Sequence, residues 1–198
     1  MDQALISQLA DDIAGTQPRQ ALATLFAENG APEPRLRWDP AEDDLPEGPL
    51  RFLAGFWRRH HDGDTLPGVD IVDPLALKPA LGYLMLLDVL DDGWDYRYRI
   101  YGSQIAQRYG RDLTGRRTSD IARTAYTGLF YIAGYRAVLA RRRPLFSVSS
   151  SPNYVAAVDW SRLALPLAGP DGTITRLLVG NVPGDWRPAT EPLPPRQE

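Results

Sequence analysis

The sequence contains no cysteine, a single lysine (Lys78) and only two histidines, His60 and His61. Without cysteine the chain can form no disulfide, thiolate metal site or covalent chromophore adduct, and it has no cysteine nucleophile. Neither sign of charge dominates, because the net charge is -3 at neutral pH. A broad electrostatic surface for nucleic acid is therefore not expected. No apolar run approaches the roughly 20 residues of a membrane-spanning helix.

What the sequence does contain is typical of one globular domain with extensions. The chain has 198 residues, of which 43% are hydrophobic and 24% charged, both close to globular averages. The N-terminus lacks the basic start and the apolar segment of a secretory signal peptide. We therefore expect a cytoplasmic protein with no membrane partner.

The first 49 residues are predicted to form a helical extension and a linker. Prolines and acidic residues fill residues 31–49, which indicates the linker. Two helices are predicted before it, divided near Pro18. The first has an apolar stripe at helical spacing, formed by Leu5, Ile6, Leu9 and Ile13. This stripe needs a surface to pack on, and we interpret it as a homodimer interface.

Residues 50–184 show the pattern of an α+β domain, and a proline-rich tail follows over 185–198. The predicted helices lie at 50–61, 73–81, 103–109 and 119–142, and the predicted strands at 83–90, 94–101, 145–158 with an interruption, 162–167 and 173–182. Strand pairs separated by helices predict an antiparallel sheet with the helices on one face. The first strand is apolar on both faces, so the second face needs the 50–61 helix or a partner subunit.

The first two strands are predicted to form a hairpin around the turn at residues 91–93. If Val89 lies opposite Tyr96, then Asp88 lies opposite Arg97 and diagonal to Arg99, which predicts a charged cluster. The opposite face of the hairpin is then apolar and consists of Met85, Leu87, Val89, Tyr96, Tyr98 and Ile100.

Four segments in this order resemble bacterial PAS domains: residues 87–90 (LDVL), 96–102 (YRYRIYG), 109–116 (YGRDLTGR) and 163–167 (LALPL). The chain is most similar to a stand-alone proteobacterial PAS family of largely uncharacterised function. The resemblance implies a five-stranded antiparallel sheet of order 2-1-5-4-3, with helices on one face around a possible cavity. It also implies a role in sensing or protein interaction, often as a dimer. The glutamate that often precedes the fourth strand in this family is replaced here by Asp159-Trp160-Ser161.

Aromatic residues supply the candidate ligand site. Several tyrosines near the inner face of the sheet could line an apolar pocket with a few polar groups, as small ligands prefer. The alternative is an ordinary core whose hydroxyls reach the surface. The predicted ligand-binding residues are Met85, Leu87, Tyr98, Tyr109, Tyr126, Phe130, Tyr131, Tyr135 and Tyr154.

No motif for catalysis, metal binding or a cofactor accompanies these residues. His60 and His61 lie before the core, which argues against haem, and they fit the C-terminal end of a helix. The arginines 141–143 fit a helix C-terminus better than an anion or nucleic-acid patch. We therefore expect no enzyme, no cofactor and no metal.

The main hypothesis is a sensory module that binds a small apolar or amphipathic ligand and signals to an unknown protein partner, as a homodimer through its N-terminal helices. A ligand-free interaction adaptor is the second hypothesis. A small isomerase or hydrolase that uses a tyrosine and an aspartate is the third.

Overall fold

The computed structural model of the chain describes residues 2–15, 19–121 and 126–193. In these residues the helices are α1 Gln3–Ala14, α2 Gln20–Glu28, α3 Pro49–Arg59, α4 Ser103–Tyr109 and α5 Tyr126–Arg141. The strands are β1 Arg35–Trp38, β2 Leu84–Leu90, β3 Asp95–Tyr101, β4 Leu145–Ser150, β5 Asp159–Ala168 and β6 Ile174–Pro183. Short 3₁₀ helices lie at Glu42–Asp44, Val69–Ile71, Lys78–Tyr83, Asp91–Gly93 and Thr118–Asp120.

The described strands form one antiparallel sheet in the order β1-β4-β5-β6-β2-β3. Without β1, the remaining five strands follow the predicted order 2-1-5-4-3, counted along the chain. The predicted α+β class and the predicted strand order are therefore confirmed. The sheet differs from the prediction by one additional strand at the β4 edge.

This additional strand, β1, lies inside the segment that was predicted to be only a linker. It pairs with β4, and Trp38 lies opposite Leu145. Pro34 and Pro40 flank the strand, and prolines occur both in linkers and beside edge strands. The strand has only four residues and no fully buried side chain. Its sequence therefore carries too little apolar signal to reveal it.

The register of the β2–β3 hairpin agrees with the prediction at its turn. Val89 lies opposite Tyr96, and Asp88 lies opposite Arg97. The Asp88 carboxylate accepts a hydrogen bond from Arg99 Nε at 2.6 Å and lies 3.7 Å from Arg97 Nε. The predicted charged cluster is therefore confirmed on the outer face of this hairpin.

A β-bulge at Arg99 then changes which side chains share a face. Beyond it, Ile100 pairs with Leu86 and Tyr101 pairs with Met85. Tyr101 therefore takes the inner-face position that was predicted for Ile100. Bulges add one residue to one strand and exchange the two faces beyond that point, and simple alternation does not predict them.

Helix α3 covers one face of the sheet, the one that Leu84 and Gly180 share. A side chain at Gly180 would overlap Leu50 and approach Leu53 to 2.8 Å, so α3 lies almost on the β6 backbone. The Trp57 indole donates a hydrogen bond to the Pro166 carbonyl at 2.8 Å. The sequence left two possible covers for this face, the helix at 50–61 or a partner subunit. In this structure the helix, α3, covers it.

The opposite face carries α4 and α5. The helix predicted over residues 119–142 is observed as α5, which begins at Tyr126 after the 3₁₀ turn Thr118–Asp120. Residues 122–125 of that prediction lie outside the described residues. α5 ends at Arg141, shortly before Pro144, as expected for a residue that cannot continue a helix.

The N-terminal helices pack on α5 within the same chain. Ile6, Leu9 and Ile13 are completely buried. From α2, the Phe26 ring meets the Phe130 ring edge-on at 5.3 Å. The apolar stripe is thus buried without a second subunit. It gives no support to a homodimer through these helices, which stays a prediction.

The arginines at the end of α5 and directly after it contact the chain itself. Arg141 donates to the Ala14 carbonyl at the end of α1 at 2.7 Å and lies over the Trp38 ring at 4.6 Å. Arg142 donates to a backbone oxygen in the β5–β6 turn, and Arg143 pairs with an aspartate after β1. These contacts favour the structural interpretation of the cluster over an anion or nucleic-acid patch.

Three predicted segments differ in detail. The helix predicted over residues 73–81 is a series of turns followed by the 3₁₀ helix Lys78–Tyr83. The strand predicted after residue 153 is replaced by turns and bends. In the predicted tail, Arg187 donates to the carbonyl oxygens of Ser151 and its neighbour, so the tail contacts the domain up to residue 193.

Candidate functional site

A cavity of about 70 Å³ lies between the sheet and helices α4 and α5. One water needs roughly 10–15 Å³ of such cavity volume, so the cavity can hold about five to seven waters or an organic molecule with a similar number of heavy atoms. Its walls are mostly apolar or aromatic. The lining residues are Met85, Tyr98, Tyr101, Tyr109, Leu113, Thr118, Ile121, Thr127, Gly128, Tyr131, Ile132, Pro152, Tyr154, Val155, Trp160, Arg162 and Asn181.

The cavity brings together five of the nine residues that were predicted to bind a ligand. These are Met85, Tyr98, Tyr109, Tyr131 and Tyr154. The other four, Leu87, Tyr126, Phe130 and Tyr135, do not line it. Five of the predicted residues therefore share one cavity wall and four do not, and ligand binding at this wall stays a prediction.

The excluded residues have other contacts. Tyr126 and Phe130 lie one position before the cavity-lining residues of α5 and are rotated by about 100°. They meet Phe26 of α2 edge-on at 5.1 and 5.3 Å. Leu87 is completely buried in the sheet, and Tyr135 contacts a charged residue beside the cavity.

That charged residue is Arg162, on β5. Its side chain is only 8% exposed, and its neighbour Asn181 on β6 is 1% exposed. Arg162 Nε donates to Asn181 Oδ1 at 3.0 Å, and Arg162 Nη1 donates to the Tyr135 hydroxyl oxygen at 2.9 Å. The guanidinium carbon lies 3.4 Å from the centre of the Tyr131 ring. Two hydrogen bonds and a stacking contact therefore fix a buried cation in the cavity wall.

No carboxylate of the described residues forms an ion pair with this guanidinium. Burial by itself would lower the pKa of Arg162, but the neighbouring tyrosines, Tyr135 and Tyr131 first among them, raise it, and the net shift is upward. Arg162 is therefore positively charged at every physiological pH.

The tyrosines of the cavity are hydrogen-bond donors at neutral pH. Burial raises the pKa of Tyr98, Tyr101 and Tyr154 far above the ordinary value, and it also raises the pKa of Tyr109. Their hydroxyl groups therefore stay protonated. Among the described lining residues, a ligand would meet these neutral phenols and the Arg162 cation.

Asp95 fixes the part of the wall that precedes residue 122. Its side chain is 4% exposed and accepts hydrogen bonds from the Thr118 hydroxyl at 2.8 Å and from the Ser119 amide at 3.0 Å. Burial alone would raise the pKa of Asp95, but these hydrogen bonds outweigh it and lower the pKa. The charged carboxylate thus holds the Thr118–Asp120 turn against β3.

Sequence reasoning missed the polar part of the site. Arg162 and Asn181 are neighbours across β5 and β6, and strand pairing cannot be deduced from one sequence. Alternation along the strand puts Arg162, Ala164 and Pro166 on one face, but the sequence does not show that this face is buried. The structure shows it, because Arg162 and Ala164 are both buried.

The histidines lie away from the cavity. His60 caps the C-terminal end of α3, and its Nδ1 lies 2.9 Å from the Phe56 carbonyl oxygen. His61 stacks on Trp57 with 4.5 Å between the ring centres. In the part of the chain that the structure describes, no three histidine, aspartate or glutamate side chains could hold one metal ion.

Comparison with known families agrees with this architecture. A family model described as "PAS domain" matches residues 47–181, which is more than half of the chain. The chain belongs to the PAS domain family. The match includes the five strands of the common sheet and excludes α1, α2 and β1 of this PAS domain.

Curated proteins and solved structures add little to this family assignment. No curated protein matches this PAS domain. Among solved structures, an RNA-binding Light-Oxygen-Voltage receptor is similar with a TM-score of 0.41 and 16% sequence identity. The alignment covers 88% of this chain and 48% of that one, so the chain spans about half the length of that receptor.

Within residues 2–15, 19–121 and 126–193, no helix is long and apolar enough to cross a bilayer.

Proposed function

We propose that this PAS domain is a sensory or signalling module that binds a small amphipathic ligand in the cavity between the sheet and α5. The cavity is the observation that carries the proposal. It combines apolar walls with a few convergent polar groups, a pattern typical of small-molecule sites. Membership of the PAS family supports sensing as the general class of function.

The position of α5 suggests how binding is transmitted. Tyr131 and Thr127 face the cavity from one side of this helix, while Phe130 and Tyr126 meet Phe26 of α2 from another. A ligand that prefers one packing of α5 would shift the population toward that packing. The N-terminal helices, which contact α5, would then present an altered surface to a protein partner.

Two alternatives have less support. A ligand-free adaptor is expected to have a cavity filled by its own side chains, whereas this one is open. An isomerase or hydrolase needs a carboxylate next to a tyrosine, and the lining side chains include no aspartate or glutamate.

The test is a titration of the ¹⁵N-labelled full chain with 1-butanol, butanamide and butanoate, followed by amide chemical shifts. At least one probe is expected to shift residues of the cavity wall in a saturable manner. Gly128→Leu adds four carbon atoms at the cavity surface and is expected to abolish that response.

Gly134→Ala is the matched control, because it replaces a second glycine of α5 where the new Cβ lies 3.8 Å from Leu145 and outside the cavity. It is expected to bind as the wild type does. Absence of a saturable shift with all three probes, or equal binding by Gly128→Leu, would contradict the proposed function.

A further inference from the structure

We propose that the ligand of the cavity is a small organic anion, whose carboxylate is held by Arg162 and whose short apolar body contacts the tyrosine walls. This inference rests on the proposed function, because it names the chemical class of the ligand. It comes from Arg162, the charged side chain among the described residues that line the cavity.

A buried arginine without an acidic partner is unusual. Charged side chains are almost never fully buried unless they are paired, because an unpaired buried charge is strongly destabilising. Arg162 is more than nine-tenths buried, and its two hydrogen-bond acceptors, Asn181 and Tyr135, are both neutral. Neither neutralises the charge.

Among residues 2–15, 19–121 and 126–193, no carboxylate forms an ion pair with Arg162. Asp88 and Asp95 are the buried carboxylates of the described strands, and both are engaged elsewhere, by arginines on the outer face and by the Thr118–Asp120 turn. The sequence of residues 122–125, Ala-Arg-Thr-Ala, contains no acidic residue. An anion bound in the cavity would supply the counter-charge.

The donors around the guanidinium suit a carboxylate. Arginine carries five N–H donors on three nitrogens, and the described residues offer an acceptor to Nε and Nη1 but not to Nη2. Asn181 accepts through Oδ1, which leaves its Nδ2 group to donate. Nη2 and Nδ2 therefore provide hydrogen-bond donors beside a positive charge, and such charge-assisted bonds are the strong ones.

The remaining walls define the body of the ligand. Met85, Tyr98 and Trp160 line the cavity with large, mostly apolar side chains, so a purely inorganic anion would leave most of this surface without contacts. The volume of about 70 Å³ limits the molecule to a short chain of about three to five carbons. A ligand of this size is expected to bind with a Kd in the micromolar range at best.

The experiment compares butanoate with its neutral analogues butanamide and 1-butanol, using the same ¹⁵N titration at constant ionic strength in chloride-free buffer. The wild type is expected to bind butanoate at least 10-fold more tightly than either analogue. Arg162→Met is expected to remove this preference and leave the binding of 1-butanol within about 3-fold. Because the variant removes an unpaired buried charge, its stability is expected to equal or exceed that of the wild type.

Arg176→Met is the matched control, since Arg176 lies in the same sheet but pairs with Asp88 on the outer face. It is expected to keep the preference for butanoate. If 1-butanol binds in the cavity as tightly as butanoate, the proposed function stands and the anion inference is refuted.

Two further outcomes would also refute the inference. One is Arg162→Met binding butanoate as tightly as the wild type, and the other is chloride competing as well as butanoate, which would show that charge alone is recognised. If Arg162→Met does not fold, the ratio of butanoate to butanamide affinity in the wild type decides the question by itself. Failure of every probe would overturn the inference and the proposed function together.

Discussion

Asp95 offers the most direct test of how the cavity wall is held in place. Its carboxylate receives hydrogen bonds from the Thr118 hydroxyl, the Ser119 amide and hydroxyl, and the Tyr96 amide, at 2.8 to 3.0 Å. Arg117 approaches the same carboxylate at 3.4 Å. Asp95→Asn keeps the shape and one acceptor oxygen but removes the charge.

The expected loss of stability in Asp95→Asn follows from the type of hydrogen bond that is weakened. A hydrogen bond to a charged group contributes about 1.5–3 kcal/mol and a neutral one about 0.5–1.5 kcal/mol, so two to three buried bonds lose about 1 kcal/mol each. Since such losses are not fully additive, we expect Asp95→Asn to lower the free energy of unfolding by about 2 kcal/mol. For a chain of this size that corresponds to a decrease in Tm of about 4–8 °C.

The pH dependence supplies an independent check. The folded state lowers the pKa of Asp95 below its ordinary value of 3.8. Its stabilising contribution is therefore complete above that value and is lost as the pH falls through the lower pKa of the folded state. The difference between wild type and Asp95→Asn should be constant from pH 5 to 8 and should shrink below pH 4.

Urea unfolding of both proteins across this pH range measures the difference directly. A difference below 0.5 kcal/mol at pH 7, taken as roughly the value for a surface substitution, would refute the account of Asp95. So would a difference that is as large at pH 3 as at pH 7, because the charge would then not be its cause.

Three further substitutions test other parts of the structure. Tyr96→Phe removes a buried hydroxyl that has no hydrogen-bond partner among the described residues. It is expected to leave the free energy of unfolding unchanged or raise it by up to about 1 kcal/mol, and a loss above that amount in urea would show that the hydroxyl has a partner. Gly180→Ala is expected to lower that free energy by about 1–3 kcal/mol through overlap with Leu50 and Leu53, and an unchanged Tm would contradict this packing. Asp88→Asn leaves three arginines without their shared carboxylate. It is expected to lower the free energy of unfolding by about 2 kcal/mol, and by less in 1 M salt than in 0.1 M salt. A decrease that is independent of salt would exclude charge repulsion as the cause.

The sequence was sufficient for features that depend on local pattern. The turn at residues 91–93 and the alternation on both sides of it placed Val89 opposite Tyr96, as observed. The same alternation failed at Ile100, because the bulge at Arg99 adds a residue without changing the composition of the strand. As a result, Tyr101 was missed as a cavity residue.

Features that depend on distant pairing could not be predicted in the same way. The strand β1 forms because β4 offers an edge more than 100 positions later in the chain, and its own four residues carry little preference. Arg162 becomes a buried residue because β6 brings Asn181 beside it and α5 brings Tyr135 above it. The aromatic character of the cavity was predictable from composition, and its charge was not.

The strand β1 also has a consequence for cutting the chain at its family boundary. A fragment that begins at residue 47, where the family match begins, lacks β1 and leaves residues 145–148 at the edge of β4 without their partner strand. Unpaired edges with apolar side chains are templates for strand addition from other molecules. In the full chain that edge is occupied by a short strand whose Arg35 and Arg37 are exposed, and arginines on an edge discourage further pairing. β1 therefore protects the edge of the sheet from pairing with the sheet of another molecule.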